Sequence, residues 1–160
     1  MNLFSKNPKR YVKQCFVYIS KVDESALVAK TYNHGGMFAE IDEGVHKSDV
    51  SKAADLGQLI INAFSECKFE LDFDYSNMKK SDWPAYKKSG YKTIKRFEKE
   101  YSRYSIQGAN EHNVTYLLLS EHFKNGIQLM SGRSSGSTAE EIGIWVVDFH
   151  SFFQRVEPIV

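Results

Sequence analysis

Near the end of this chain Ile142, Trp145, Val146, Phe149, Phe152, Phe153 and Val156 recur at three- and four-residue intervals, the spacing that gathers side chains on one face of an α-helix. Just ahead of them, Thr138-Ala139-Glu140-Glu141 has the spacing of a capping box, in which a hydroxyl and a carboxylate satisfy each other's free amides. A helix this apolar on one side draws its stability from packing rather than propensity, so it needs a broad apolar surface to lie on. A β-sheet supplies one, and the rest of the sequence holds strands to build it.

Residues 15–22 (CFVYISKV) and 26–33 (ALVAKTYN) are rich in β-branched and aromatic side chains, and the polar Asp23-Glu24-Ser25 between them predicts a hairpin that His34-Gly35-Gly36 ends. Residues 38–41 predict a short further strand. Residues 101–107 (YSRYSIQ) and 114–119 (VTYLLL) predict a second pair around the turn-forming GANEHN, and 126–130 another short strand. The SGRSSGS that follows reads as a mobile surface loop. Residues 69–75 (FELDFDY) alternate apolar with acidic side chains, the period of a strand with one wet face, which carries Glu70, Asp72 and Asp74; a loop is the alternative for this stretch.

A second amphipathic helix is predicted over 51–67, with Ala53, Leu56, Leu59, Ile60, Ala63, Phe64 and Cys67 on one face. Gly57 costs that helix about 1 kcal/mol relative to Ala, which points to close packing against another element. Ser81 or Asp82 is placed to cap a short helix through Trp83-Pro84-Ala85-Tyr86, with Gly90 as its stop. Beyond Tyr91 no clear period emerges until residue 101. The pattern as a whole predicts an α+β fold: a single domain over 1–160, mainly an antiparallel β-sheet flanked by helices, with an amphipathic C-terminal helix.

The chain's 160 residues, 42% hydrophobic and 26% charged, fit that single domain. Cys15 and Cys67 match no CxxC spacing and predict buried, reduced thiols. Neither a signal peptide nor an apolar run long enough to span a membrane is evident, so a cytoplasmic protein is expected.

A formal net charge of +1 conceals two opposed blocks. Between residues 38 and 78, nine carboxylates face three lysines, a net of −6; between 79 and 104, nine lysines and arginines face three carboxylates, a net of +6. Such segregation builds a polarised surface that steers an oppositely charged partner, or else simply a solvated face.

Positive signs of chemistry are lacking. The five histidines are scattered without i, i+4 pairing, so no metal and no cofactor are expected. No GxSxG elbow accompanies the serines, and SGRSSGS lacks the GxxxxGK[ST] pattern of a phosphate cradle. A His-plus-Lys nuclease site in the basic block stays open on residue types alone. In 79–104 lysine and arginine alternate with Tyr86, Tyr91, Phe97, Tyr101 and Tyr104, the mixture with which proteins bind single-stranded nucleic acid. A nucleic-acid-binding module is therefore the alternative reading, although a pI near 7.7 is low for one.

The early hairpin, Ala54-Asp55-Leu56-Gly57 opening Leu59-Ile60-Ile61-Asn62-Ala63, then Trp83, Ser89-Gly90-Tyr91-Lys92-Thr93 and Glu140-Glu141-Ile142-Gly143 occur in an order that resembles the immunity proteins of contact-dependent growth inhibition (CDI) systems, in the branch that neutralises nuclease toxins. The resemblance runs from residue 12 to 155. It implies an antiparallel sheet decorated by helices, no catalysis, and a one-to-one heterodimer with the C-terminal toxin domain made by the same cell, with neither membrane nor nucleic acid as partner. In some members a toxin hairpin adds strands to the immunity protein's sheet. Nuclease domains tend to be basic, so Glu40, Asp42, Glu43, Glu70, Asp72 and Asp74 are the expected toxin-facing residues. A toxin with an acidic patch of its own would face the lysines instead.

Overall fold

The computed structural model describes residues 12–70, 76, 79–110, 112–121 and 128–156. The early hairpin is β1 (Gln14–Ser20) and β2 (Ser25–His34), paired antiparallel, and β3 (Met37–Asp49) follows on the far side of β2. Helix α1 (Ala53–Ser65) leads to a two-residue strand, β4 (Lys68–Phe69). A 3₁₀ turn at Lys80–Asp82 precedes α2 (Pro84–Ser89) and α3 (Ile94–Glu100), and then come β5 (Tyr101–Gly108), β6 (Thr115–Ser120), β7 (Met130–Ser134) and α4 (Ala139–Arg155).

One seven-stranded sheet runs β3-β2-β1-β5-β6-β7, antiparallel throughout, with β4 added parallel to β2 where β1 has ended. Every residue of β1 is buried because both faces of the sheet are covered at its centre. Side-chain alternation sends Cys15, Val17 and Ile19 to one side, under α1 and α4, and Phe16 and Tyr18 to the other, under α2 and α3. The larger core joins Leu56, Ile60 and Phe64 of α1 to Ile142, Trp145, Val146, Phe149 and Phe153 of α4 over Tyr104, Ile106, Tyr116 and Leu118. Each of those side chains stabilises the fold by about 1.5–3 kcal/mol before entropy is charged.

The capping box forms as expected: Thr138 Oγ1 accepts from the Glu141 amide at 3.2 Å, and Glu141 accepts from the Thr138 amide at 2.8 Å. Gly90 stops α2 at φ +80°, a left-handed value that favours glycine. Thr93 caps α3, the helix for which no period was legible.

Four expectations change. The third strand extends well past 41 because β2 is long enough to pair with it down to Asp49. Residues 131–134 form β7 rather than the start of a loop, their backbone held by β6. Phe152 lies on the solvent side of α4, 56% exposed, although it shares the helix with the buried Phe149 and Phe153. Asp82 does not cap α2; its carboxylate accepts from the Lys79 amide at 3.1 Å and closes the 3₁₀ turn, leaving Trp83 at the helix start. Most of the strand predicted at 69–75 lies outside the described residues.

Candidate functional site

The acidic surface was to be built from six carboxylates. Glu40 faces inward. It sits on β3 at 7% exposure, and its carboxylate accepts from the Tyr18 hydroxyl, from Trp83 Nε1 at 3.0 Å and from the Ala85 amide at 2.9 Å. Those bonds tie β1, β3 and the first turn of α2 to one group, so Glu40 is a structural node rather than an exposed surface charge. Burial, then the Glu40 charge, holds the Tyr18 phenol well above its usual range.

Asp42 and Glu43 are exposed for a local reason. Between the pairs Ala29↔Val45 and Thr31↔Glu40 the ladder slips, leaving more residues on β3 than on β2, and Asp42 and Glu43 lie in the resulting bulge. Gly44 closes it, since a Cβ there would meet Lys30 Cβ at 2.9 Å. Asp42 pairs loosely with Lys87 at 3.4 Å, whereas no ion pair engages Glu43 among the described residues. Glu70 follows β4 on the other side of β2, with its amide bonded to the Asn33 carbonyl at 3.0 Å and its side chain exposed. β3 and β4 flank β2, about 10 Å apart, so Glu70 joins the same end of the sheet as the bulge without touching it. Asp72 and Asp74 lie outside the described residues.

The basic block packs beside the acidic bulge, with Lys87 of α2 reaching Asp42 of β3. On α2, α3 and the connection between them the side chains of Lys88, Lys92, Lys95 and Lys99 point to solvent, while Lys80 pairs with Glu98 at 2.7 Å and Arg96 with Glu100 at 2.9 Å. Its aromatic residues, however, point into the protein. Phe97, Tyr101 and Tyr104 are 1%, 5% and 0% exposed, and the Phe97 ring meets Trp83 edge-on at 5.0 Å and Tyr101 at 5.1 Å. Phe97 and Tyr101 are spent on the smaller core and Tyr104 on the larger one, and the three offer no stacking platform for bases.

The sheet also exposes an edge. Among the described residues β7 pairs only with β6, and Met130, Gly132 and Ser134 are exposed along it. Beside this edge a cavity of about 400 Å³ opens between β7 and α4, walled by Leu129, Met130, Trp145, Phe149 and Phe152. Trp145 is fixed there by an Nε1 bond to Ser131 Oγ at 2.9 Å. An unpaired strand with an apolar pocket at its side can receive a partner's strand through backbone bonds and a side chain through the pocket.

Among the described residues no group of three or more His, Cys, Asp or Glu is placed to share a metal, and no helix is long and apolar enough to cross a membrane. Both cysteines are free and buried, and burial raises the Cys15 thiol far above its ordinary value.

Two solved structures resemble this architecture. One is a Neisseria meningitidis protein of unknown function, with a TM-score of 0.64 and 16% identity over 84% of this chain and 91% of that chain. The other is a chain of the CdiA-CT/CdiI toxin and immunity complex from Yersinia pseudotuberculosis, with a TM-score of 0.60 and 16% identity over 88% of this chain and 96% of that chain. The chain has the fold of these two structures. No protein-family profile and no curated protein matches the sequence.

Two elements of this surface escaped the sequence reading. The β7 edge was hidden by SGRSSGS, whose composition mimics a loop. Arg103, which lies over the Phe16 ring at 3.9 Å, was counted only as one more basic residue. Its signal was positional: a cation in a period-two strand whose neighbours Tyr101 and Tyr104 are core residues.

Proposed function

We propose that this chain is an immunity protein that binds and neutralises a toxin domain, a nuclease, of a contact-dependent growth inhibition system. The observation that carries the reading is the shared fold with a chain of a toxin and immunity complex over 96% of that chain. Two features of this protein support it: charge divided into an acidic and a basic block of sequence, and a β7 edge, unpaired among the described residues, beside an apolar pocket. The partner is the cognate C-terminal toxin domain, bound one to one in the cytoplasm, and the chain performs no catalysis.

In this reading Asp42, Glu43 and Glu70 lie on the toxin-facing surface together with Asp72 and Asp74, and Glu40 supports it from beneath. Opposite charge speeds encounter and rejects wrong partners, while the edge strand supplies affinity through backbone bonds. The test is co-expression in a sensitive host with the C-terminal toxin domain proposed as its partner. Cells making both survive if the proposal holds; cells that die at the rate of toxin alone overturn it.

A further inference from the structure

Arg103 poses an unsolved problem in the folded protein. From β5, opposite Tyr18 of β1, its guanidinium lies 3.9 Å from the Phe16 ring centroid, 5.8 Å from Tyr18 and 5.6 Å from Trp83. Aromatic rings engage the flat face of a guanidinium and leave the N–H groups in its plane unsatisfied. Its Nε is buried and has no hydrogen-bond partner among the described residues. A buried donor on a cation left unbonded is costly, and native proteins rarely keep one without a use.

The two nearby carboxylates are already engaged. Glu40 accepts from Tyr18, Trp83 and Ala85, and Glu98 pairs with Lys80. Arg103 and Glu40, with Lys79, Lys80 and Glu98, line a cavity of about 440 Å³ whose remaining walls are Phe38, Ala39, Trp83 and Pro84. Three cations against two carboxylates leave the cavity positive, and its walls suit methylene groups better than a bare inorganic anion.

We propose that this cavity is a socket for an acidic side chain of the protein partner, its carboxylate reaching Arg103 and its stem lying against Trp83 and Pro84. Arginine and tryptophan in a pocket ringed by exposed charge are the usual composition of an interface anchor. The planar fork of arginine matches a carboxylate in a way lysine cannot. The partner's identity as a toxin rests on the function proposed above; the socket's chemistry does not.

Two measurements keep those apart. In ¹⁵N-labelled free protein, the Arg103 Nε–H resonance is followed while glutarate, a free carboxylate with a short stem, is added; a saturable shift is expected. Binding of the toxin domain is then compared for the native chain, Arg103→Gln and the rim variant Lys79→Glu, with circular dichroism confirming that each is folded. Arg103→Gln is expected to weaken binding by about 30-fold or more, and Lys79→Glu, at the rim, by about threefold. A motionless resonance, or Arg103→Gln binding the toxin domain as tightly as the native chain, overturns the socket. A shift with glutarate in a protein that binds no toxin domain upholds the socket and sinks the toxin reading.

Discussion

Gly57 of α1 and Gly143 of α4 sit where the two helices cross backbone to backbone. A Cβ on Gly57 would lie 1.7 Å from the Ala139 carbonyl oxygen, and one on Gly143 would lie 1.9 Å from that of Ala53. Backbone cannot rotate away as a side chain can, so a methyl group at either site must push the helices apart over the core they share. Gly57→Ala and Gly143→Ala are each expected to lower stability by about 1–3 kcal/mol, despite the better helix propensity of alanine. Urea unfolding reads this as a lower midpoint at unchanged slope. Gly136→Ala, whose nearest neighbour is a serine hydroxyl at 3.6 Å, should stay within about 0.5 kcal/mol of the native chain.

Removing the Glu40 carboxylate strands the Tyr18 hydroxyl and the Ala85 amide as donors in a buried place, while Trp83 Nε1 keeps only its 3.1 Å bond to the Tyr18 oxygen. Glu40→Ala is expected to cost about 3 kcal/mol. Glu40→Gln, which keeps an acceptor oxygen, should cost less. Because the Ala85 amide is one of those donors, hydrogen exchange at Ala85 and along α2 should speed up in both variants before the rest of the sheet is affected. Unchanged exchange in α2 would show that Glu40 is not the tie that holds it.

His150 gives the protein an acid-side dependence. Burial, with Lys21 nearby, pushes its imidazole down from 6.5 to about 4, and Nδ1 meets the Tyr104 hydroxyl at 2.7 Å. The folded state thus disfavours the protonated ring that the unfolded chain takes up readily. Stability is full above about pH 6.5 and declines as pH falls toward 4. In His150→Gln that decline should be shallower in thermal melts between those limits. At the alkaline end Tyr18 acts in the other direction: its raised pKa makes the folded state hold its proton longer, so stability falls as pH rises beyond about 10.

Wherever a single period ran long enough, the fold was legible. The α4 stripe, its capping box and the β1–β2 hairpin each declared themselves, and Gly57 announced a close crossing through the helix propensity it forfeits. What stayed hidden depended on pairing. Residues 131–134 are a strand because β6 offers a register, not because Ser-Gly-Arg-Ser favours one. The candidate site was legible only in part for the same reason. Glu40 and Asp42 look alike in a list of acids and would share one face of a regular strand; the bulge in β3 leaves the first inward and the second outward. Arg103 acquires meaning from Phe16, far away in sequence and near it across the sheet.

Surface charge should govern the rate of encounter with a partner. The exposed pair Glu43 and Glu70, changed together to lysine, is expected to slow association with a basic toxin domain by about tenfold at low salt, with little change in urea midpoint. Stopped-flow association at two salt concentrations checks this, and the difference should shrink at the higher one. Faster association in the double variant would place the lysines of α2 and α3, not the acids, opposite the toxin.

The central claim is that this protein acts by occupying another. Isothermal titration with the toxin domain proposed as its partner tests that most directly. The account predicts one binding event per chain with an affinity in the nanomolar range or tighter, about −12 kcal/mol or beyond, and loss of toxin activity at the same equivalence point. No heat of binding at micromolar concentrations, or a saturated complex that keeps its full toxin activity, would contradict it.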